Sequence, residues 1–547
     1  MRLPRILIWA VLAAATAPAA AFAAPGDPHV VYTANSYVDG AVILRADPAA
    51  GSLVEVSRNG TQGTLFQRPF DLAVEPGGHL VVADLGEECI ASTPKPCASD
   101  GKIIRVDPLS GRQSLLSGGG LLVDPAGIAV APGGLLYVAE NKDSDGEGRV
   151  VRIDPPSGAQ TLVTEDNRLD LPFGIVVERD GNLLVSNRVT PAASCAAGGP
   201  GALVRVNPAT GAQTAVAANL LNHPLGLTLD AGGVPAFANE CGPNGLVALP
   251  NRLITPNGPA DVLETPERIA VDPAGNFLVS DFAAADGDGG IVGVNAATGS
   301  QRLLAHGELF NHPMGIAAVV NRPPAAVLRL SRATVAAGAP VGLDGSTSSD
   351  PEGLRLHHEW DLNGDGVFEA VTGAIATGTR EWSSNGTVTV RLRVTDPHGA
   401  FSVTEAALAV DGSTPVITDV RATARVVAVA GPPRRGASAS RAGGPPSETQ
   451  LRFRLSEPAR VRVGVERRSG RRARRGARCR VGPRRGRRCI RWSEVRVISQ
   501  PSRAGGNRLR VVARGLRPGR YRLALTAIDG VGHRAAERRL PLRVVRR

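Results

Sequence analysis

Two histidines stand in nearly identical stretches of the sequence, LLNHPLGLTLD around His223 and LFNHPMGIAAV around His312. A histidine titrates near neutral pH and can act as a general acid, a general base or a metal ligand. Glu267, in the phrase PERIAV, is the acidic residue that could assist them. Such chemistry requires the three side chains to converge on one point. The alternative, which we favour, is that the shared N-H-P marks a repeated structural unit.

A second set of polar residues recurs at equivalent positions, each at the end of a short apolar stretch. Its members are Asn35, Asp84, Glu140, Asn187, Asn239 and Asp281. Asp and Asn commonly end strands by capping the turn that follows. Recurrence at every equivalent position favours a ring of oxygen atoms that binds a polar ligand or a hard cation. We predict that this ring forms a ligand-binding mouth.

A third set has the spacing of a calcium loop, with Gly366 at the turn. Its members are Asp361, Asn363, Asp365 and Glu369. A full EF-hand loop places its last acidic ligand where Thr372 stands, so this is a short variant. Calcium is therefore the one cofactor for which the sequence offers a candidate site. The alternative is a turn rich in Asp and Asn that binds no metal.

Charge divides the chain unequally. Residues 415–547 contain 36 Arg and 7 acidic residues, a net charge of +29. Residues 1–414 therefore carry −17, because the whole chain carries +12. Few aromatic residues lie among the arginines, which argues against recognition of single-stranded nucleic acid by base stacking. We predict association with an anionic envelope or matrix polymer and no specific nucleic-acid partner; a solvated basic face without a partner is the alternative.

The elements that must position these residues are repeated strands. One phrase begins at Pro69, Pro125, Pro172, Pro224 and Pro266, in steps of 56, 47, 52 and 42 residues. Each copy predicts two short strands joined by a hairpin that contains Gly. A second phrase of the type R-V-D-P-x-S-G follows most copies and predicts two further strands around a tight turn.

The two ends of this array complete each other. PMGIAAVV from Pro313 is an inner strand without successors, whereas VVYTAN from Val30 and GAVILRADPAAGSLVEV from Gly40 supply three strands without a predecessor. Joining them removes an exposed sheet edge. The sequence thus predicts an all-β chain whose residues 25–320 form a six-bladed β-propeller closed by strands from both ends.

These phrases, P-x-G-I-x-V-x-x-x-G-x-L-x-V and G-x-x-x-R-V-D-P-x-S-G, resemble the NHL and gluconolactonase-type six-bladed propellers. That family includes lactonases, lyase-like enzymes and members that only bind. In the metal-dependent lactonases the cation ligands lie between the Pro and the Gly of the P-x-G phrase or its equivalent. The corresponding residues here are Phe70, Ala126, Phe173, Leu225, Glu267 and Met314. Only Glu267 could be a ligand, so the resemblance implies the fold more firmly than the chemistry.

Two smaller domains are expected after the propeller. Residues 323–411 alternate apolar and polar residues between turns, with Trp360 in the expected core, and they resemble a PKD domain. In that family the domain is a spacer or adhesion module on exported proteins. Residues 414–547 resemble an immunoglobulin-like or fibronectin-like module of exported bacterial proteins, interrupted by Arg-rich loops from Gly431 and from Arg467.

The N-terminus predicts export. Residues 1–23 have a basic start, a short apolar run and an A-x-A ending, which is the pattern of a cleaved signal peptide. Later stretches are too short to span a membrane. Six cysteines suit an oxidising compartment and can pair in 15 ways; we favour the local pairs. These pairs are Cys89 with Cys97, Cys195 with Cys241, and Cys479 with Cys489.

Together these features predict a secreted or envelope-associated protein that is not an enzyme. Its propeller mouth binds a small molecule or a protein of unknown identity, and its basic module binds an anionic polymer. The alternative function is that of a metal-dependent, lactonase-like hydrolase or a lyase. His223, His312 and Glu267 are the weak catalytic candidates for that chemistry.

Overall fold

The computed structural model describes residues 29–35, 41–60, 62–86, 100–141, 148–188, 200–239, 245–248, 252–255, 262–284, 287, 289–429, 443–470 and 490–547. Within these ranges the regular elements are all β-strands, and no helix is long and apolar enough to cross a membrane. The predicted signal peptide and all six cysteines lie outside the described residues. The chain divides into two compact units. The first contains Met1–Ala326, Ser348–His358 and Arg393–Val403, and the second contains Val327–Thr347, Glu359–Leu392 and Thr404–Arg547.

Six antiparallel sheets of four strands form most of the first unit, and we number them 1 to 6. From the innermost strand outward, sheet 1 has β4 (Pro69–Val74), β5 (Leu80–Asp84), β6 (Lys102–Val106) and β7 (Gln113–Gly118). Sheet 2 has β8 (Pro125–Val130), β9 (Leu136–Glu140), β10 (Arg149–Asp154) and β11 (Ala159–Glu165). Sheet 3 has β12 (Leu171–Val177), β13 (Leu183–Arg188), β14 (Pro200–Val206) and β15 (Gln213–Asn222).

Sheets 4 to 6 repeat this order. Sheet 4 has β16 (Pro224–Leu229), β17 (Pro235–Asn239), β18 (Gly245–Ala248) and β19 (Arg252–Leu253). Sheet 5 has β20 (Pro266–Val271), β21 (Phe277–Asp281), β22 (Gly290–Val294) and β23 (Gln301–His306). Sheet 6 has β24 (Pro313–Val320), β1 (His29–Asn35), β2 (Val42–Asp47) and β3 (Ser52–Arg58).

Sheet 6 joins strands from both ends of the first 320 residues. β24 pairs antiparallel with β1, from His29 opposite Val320 to Thr33 opposite Ile316. The innermost strands contact one another in the cyclic order β4, β8, β12, β16, β20, β24 and again β4. The first unit is therefore propeller-like, and the pairing satisfies backbone groups that would otherwise be an open sheet edge.

Apolar side chains fill the space between neighbouring sheets. Alternate residues of a strand point to opposite faces, so Val81 packs with residues of sheet 2 while Val82 packs with residues of sheet 6. Equivalent clusters lie between the other neighbouring sheets. Burial on both faces explains why the inner strands are almost continuously apolar in sequence.

In several sheets, a glutamine in the outermost strand forms hydrogen bonds with the preceding sheet. In sheet 1, Gln113 Oε1 accepts the Leu65 N–H at 2.9 Å, and its Nε2 donates to Ser57 Oγ and the Arg58 carbonyl at 3.1 Å. Gln160, Gln213 and Gln301 accept backbone N–H groups in the same way. Because Gln offers a donor and an acceptor, one side chain fixes both the connecting loop and the preceding sheet.

Part of the region predicted as a separate PKD domain packs within the first unit. Tyr32 Oη lies 3.0 Å from His398 Nδ1, and Arg45 Nη1 donates to the His398 carbonyl at 2.6 Å. Burial and the charge of Arg45 lower the pKa of His398 to about 4. His398 is therefore neutral at physiological pH, which suits a contact with a buried tyrosine.

Two β-sandwiches follow along the chain. The first has a three-stranded sheet in the order β25 (Arg329–Leu330), β27 (Pro340–Asp344), β30 (Thr377–Glu381). Its five-stranded sheet has the order β26 (Thr334–Ala336), β32 (Phe401–Asp411), β31 (Gly386–Thr395), β28 (His357–Asp361), β29 (Ala370–Gly373). Trp360 is buried, as the sequence predicts.

The second sandwich repeats the strand order of the first. Its sheets are β33 (Ile417–Ala422), β35 (Glu448–Leu455), β38 (Gly505–Val512), and β34 (Val426–Val429), β40 (Arg538–Arg546), β39 (Gly519–Ile528), β36 (Ala459–Gly470), β37 (Ile490–Ser502). In both sandwiches the second strand pairs parallel with the last, as β26 with β32 and β34 with β40. Leu451, Phe453 and Leu523 belong to the core of the second.

Candidate functional site

The predicted mouth lies at the end of the ring where each innermost strand begins. Pro69 is opposite Asp84 and Pro266 is opposite Asp281, so the residue after each Pro lies on the same face as the polar ring. Ala126, Phe173 and Leu225 form a buried apolar cluster there, with Phe70 packed against it. The channel thus has an apolar layer at this end.

The predicted polar ring is buried and caps loops. Asp84 Oδ2 accepts the backbone N–H groups of Gln67 and Arg68 at 2.8 and 3.1 Å. Asp281, Asn187 and Glu140 accept backbone N–H groups in the same way, and Asn35 donates to the Leu309 carbonyl. All six members, Asn239 included, are at most 8% exposed. The oxygens of Asp84, Asn187 and Asp281 thus bind the loops that enter the inner strands. The side-chain oxygens of Asn35 and Asn239 are buried without a hydrogen-bond partner among the described residues. The binding role of the ring stays a prediction.

Burial also sets the protonation of this ring. It raises the pKa of Glu140 to about 8, although the Asp124 N–H acts in the opposite direction. It raises the pKa of Asp84 and Asp281 above their usual range in the same way. A protonated Glu140 at neutral pH offers a hydrogen-bond donor rather than a charge.

The two histidines occupy equivalent surroundings. Both hold left-handed backbone conformations, with φ of 50° at His223 and 58° at His312. His223 Nδ1 lies 3.1 Å from Arg188 Nη2, and the His312 ring stacks on Phe282 at 3.7 Å between centroids. Arg188 and Phe282 each follow the polar-ring residue of the preceding sheet.

The two histidines reach the same protonation state for different reasons. Because a guanidinium only donates, Nδ1 of His223 accepts, and the ring is neutral with its proton on Nε2. Burial lowers the pKa of His312. Both rings therefore favour the neutral state, which is the state of a base or ligand.

The structure does not gather His223, His312 and Glu267 into a three-ligand cluster. Among the described residues, two clusters of three acidic or histidine side chains have ligand atoms within 4.8 Å of one another. They are Asp411 with Asp529 and His533, and Asp361 with Asp365 and Glu369. Glu267 itself is 7% exposed at the mouth end of β20.

A charged pair that sequence reasoning missed lies in the centre of the ring. The residue two positions after the Pro of the inner strand is Gly in four sheets, and at Gly127 an added Cβ would lie 2.0 Å from the Phe173 carbonyl oxygen. The inner strands therefore approach too closely there for a side chain. Sheets 1 and 5 carry Asp71 and Arg268 instead. The signal was PFD and PER in place of P-x-G.

Arg268 extends across the ring. Its Nε lies 3.9 Å from Asp71 Oδ1, and its Nη2 donates to the Ala126 carbonyl in the opposite sheet 2 at 2.9 Å. Its guanidinium carbon lies 4.9 Å from the Phe70 ring centre and 5.9 Å from that of Phe173. Both rings stabilise the buried cation. Burial raises the pKa of Asp71 to about 6, although Arg268 acts to lower it.

The predicted calcium loop brings the carboxylates of Asp361, Asp365 and Glu369 together, and Asn363 Nδ2 donates to Asp365 Oδ2 at 3.0 Å. Asp361 Oδ1 accepts from Gly364 at 2.6 Å, and its Oδ2 accepts from Gly366 at 2.9 Å. Burial acts to raise the pKa of Asp361, but these N–H groups outweigh it and the pKa lies below its usual value. Arg391 Nη1 lies 3.3 Å from Oδ2 and supplies a positive charge to the same carboxylate.

Three arginines form a row across the outer face of the second sandwich. Arg421 lies opposite Arg452, which lies opposite Arg508 on the next strand. All three are exposed, whereas residues next to them along the strands, such as Leu451 and Leu509, are buried in the core. Among the described residues none of the three has an ion pair. We call them the arginine row.

Comparison with known protein families identifies one segment of the chain. Residues 321–410 match the family model described as PKD domain, which confirms the prediction for 323–411 and makes this segment a PKD domain on an all-β chain. No curated protein sequence matches the chain.

Solved structures that are similar have low sequence identity. A chain of a nidogen–laminin complex is 15% identical with a TM-score of 0.41, covering 53% of this chain and 97% of that chain. A virginiamycin B lyase from Staphylococcus aureus is 14% identical with a TM-score of 0.34, covering 52% and 87%. A gluconolactonase from Xanthomonas campestris is 14% identical with a TM-score of 0.33, covering 58% and 92%.

Proposed function

We propose that this chain is an exported, non-catalytic binding protein. Its six sheets are the blades of a closed propeller of the NHL and gluconolactonase type, with a ligand- or partner-binding mouth. Its second sandwich, an immunoglobulin-like basic module, attaches the protein to an anionic polymer of the cell envelope or matrix. Export rests on the N-terminal pattern of residues 1–23.

The arginine row is the observation that carries this proposal. Like charges directly opposite one another on neighbouring strands destabilise a sheet, so such a row has a cost to the fold. Neighbouring strands lie about 4.8 Å apart, which sets three cations in a line of roughly 10 Å. A chain molecule with regularly spaced carboxylates or phosphates can contact all three at once, and this association relieves the repulsion.

Nearby acidic residues neutralise other arginines and leave the row charged. Arg462 pairs with Glu494 at 2.8 Å, and Arg510 pairs with Glu448 at 2.5 Å. The second sandwich thus contains arginines held by a carboxylate as well as arginines without an ion pair among the described residues, and the row belongs to the latter. The alignment of three such arginines across neighbouring strands supports a dedicated surface over a uniformly basic one.

The test compares two triple variants of the full chain with equal charge. One is Arg421→Gln/Arg452→Gln/Arg508→Gln, and the matched control is Arg462→Gln/Arg510→Gln/Arg539→Gln, whose arginines are ion-paired. Binding to polygalacturonate and to polyphosphate is measured by calorimetry over a range of salt. We expect the row variant to lose about tenfold or more in affinity and the control about threefold or less. Equal losses would show that net charge alone attracts the polymer.

A lactonase-like hydrolase or lyase at the channel is the second candidate. The observation in its favour is the left-handed backbone of both His223 and His312, since non-glycine residues in this conformation concentrate at functional sites. The test is a lactone and lyase substrate screen with and without added calcium. Turnover that Glu267→Gln abolishes would establish this candidate over the non-catalytic one.

A further inference from the structure

A cavity of about 470 Å³ lies in the ring on the side of Arg268 away from the mouth. It is lined by the later residues of the inner strands, for example from Asp71 to Val74 and from Arg268 to Val271. These strands end at the hairpins opposite the mouth face. The volume lies within the roughly 300–1,000 Å³ typical of small-molecule sites.

The walls of the cavity are apolar and its floor is charged. Val74, Ile128 and Ile316 are among the wall residues, whereas Asp71 and Arg268 supply the charged groups. Both of these side chains are almost fully buried, at 11% and 4% exposure. A buried charged pair beneath apolar walls favours a ligand with an apolar body and one polar group.

Hydrogen bonding at the floor is incomplete. Arg268 Nη1 and Nη2 donate to the carbonyls of Glu267 and Ala126, but Nε is buried without a hydrogen-bond partner among the described residues. Each carboxylate oxygen of Asp71 accepts one backbone N–H, from Leu72 or from Ile128, and can accept another. A buried donor without a partner destabilises the fold.

The distance between these two groups suits one oxygen atom between them. Arg268 Nε and Asp71 Oδ1 are 3.9 Å apart, which is too far for a direct hydrogen bond. An oxygen placed about 2.8 Å from each can accept from Nε–H and donate to Oδ1. Only a group that is both donor and acceptor, such as a hydroxyl, satisfies both.

We propose that this cavity binds a small, neutral, mainly apolar molecule that presents one hydroxyl group to Asp71 and Arg268. The paired charges explain the neutrality, because a ligand carboxylate would meet the Asp71 carboxylate and a ligand ammonium would meet the Arg268 guanidinium. Uncompensated like charges in a buried site are strongly unfavourable. This site lies on the other side of the Arg268 layer from the mouth, and it does not depend on the proposed function.

The first experiment uses four matched probes on the full chain. Naphthalene-2-methanol is compared with 2-methylnaphthalene, 2-naphthoate and 2-naphthylmethylammonium by equilibrium dialysis at about pH 8, where Asp71 is ionised. We expect the alcohol to bind about tenfold or more tightly than the hydrocarbon, in line with one buried hydrogen-bonded group. The two charged probes should bind more weakly still.

Two variants then exchange the specificity. Asp71→Asn leaves the charge of Arg268 uncompensated, so 2-naphthoate should gain about tenfold or more in affinity and overtake the alcohol. Asp71→Asn/Arg268→Met removes both charges and should not show the increased affinity for 2-naphthoate. This double variant provides a second test if the single variant is destabilised. Asp107→Asn, in an exposed turn of sheet 1, is the matched control and should behave as the parent.

Three results would overturn the proposal. Equal binding of alcohol and hydrocarbon would mean that the floor takes no part in recognition. Failure of every probe at millimolar concentration would mean that the cavity holds water alone. An Asp71→Asn variant that folds, by circular dichroism, and leaves the preference unchanged would place the alcohol elsewhere.

Discussion

The two sandwiches have the same strand order but opposite surfaces. In the first, the row across the outer face of the three-stranded sheet is Arg329, Asp344 and Thr377. In the second, the corresponding sheet carries the arginine row. The first row sets a carboxylate beside a guanidinium, and the second sets three guanidinia side by side. One topology therefore supports a self-neutralised face in one domain and a charged face in the other.

This difference teaches that strand order and surface charge are separable in this chain. The alternating apolar residues that build the cores, such as Val341 in the first sandwich and Leu451 in the second, leave the outward positions free to vary. The proposed function therefore depends on the outward residues, and a fold-level likeness between the domains carries none of it. Four measurements test this comparison.

Core truncation has the largest expected effect and tests whether the two sandwiches are independent. Trp360→Ala should destabilise the first sandwich by about 3–5 kcal/mol, because Trp360 is 1% exposed. Phe453→Ala should do the same in the second. Hydrogen exchange followed segment by segment in the full chain measures both. Loss of protection in both sandwiches from either substitution would contradict independence.

Exchanging the charge pattern of the rows should have the next largest effect. Arg452→Asp gives the second sandwich the pattern of the first and should lower affinity for polyphosphate by about tenfold or more. The same change should raise the stability of the second sandwich by about 0.2–1 kcal/mol, since opposite charges replace like charges across the strands.

Chemical denaturation and calorimetry measure the two consequences of this exchange. Arg462→Asp, which disrupts an ion pair outside the row, is the control for charge and should be destabilising. A destabilised Arg452→Asp would contradict the repulsion argument.

Calcium binding should have a smaller effect, which differs between the two sandwiches. We expect added calcium to raise the melting temperature of the first sandwich and leave the second unchanged, since the carboxylate cluster belongs to the first. Arg391→Gln removes the cation beside Asp361 and should tighten calcium binding several-fold. Differential scanning calorimetry with magnesium as the control measures this. Calcium affinity unaltered by Asp365→Asn would exclude the loop as the site.

The smallest expected effect is on acid sensitivity. The pKa of Asp361 in the folded protein lies below its ordinary value, so its ionised form stabilises the first sandwich. This contribution is complete above the pKa of the unfolded chain, near 4, and is lost as the pH falls through the lower folded value. Asp361→Asn should flatten the dependence between about pH 2 and 5. Hydrogen exchange in the second sandwich provides the reference.

Sequence reasoning found the strands because their turns have strong local signals. The D-P-x-S-G phrase and the Gly hairpins fix strand ends within a few residues, and each copy supports the others. It also located Trp360 in a core and the segment that matches the PKD family. The equal strand order of the two sandwiches could not be found this way, since pairing partners such as Ala428 and Val545 are remote in sequence.

The candidate sites were harder to predict because side-chain surroundings depend on packing. The polar ring was predicted because its residues recur at equivalent positions of the repeat. The residues next to Asp84 in sequence do not indicate whether its carboxylate faces a ligand or the N–H groups of Gln67 and Arg68. Asp71 and Arg268 were visible only as exceptions to a glycine pattern. A repeated Gly marks a close approach of two backbones. A charged residue at such a position is therefore a stronger candidate for a functional site than a charged residue elsewhere in the strand.

The pairing of β24 with β1 imposes an order of events on synthesis. Strands β1 to β3 are synthesised before the residues near Val320 and must wait for them before their sheet gains its innermost strand. Pairing two strands that lie so far apart in the sequence is slow compared with the formation of a local hairpin. During that interval β1 presents an open edge, which is the surface that recruits other chains. A chain that stops before Pro313 is therefore expected to associate through this edge.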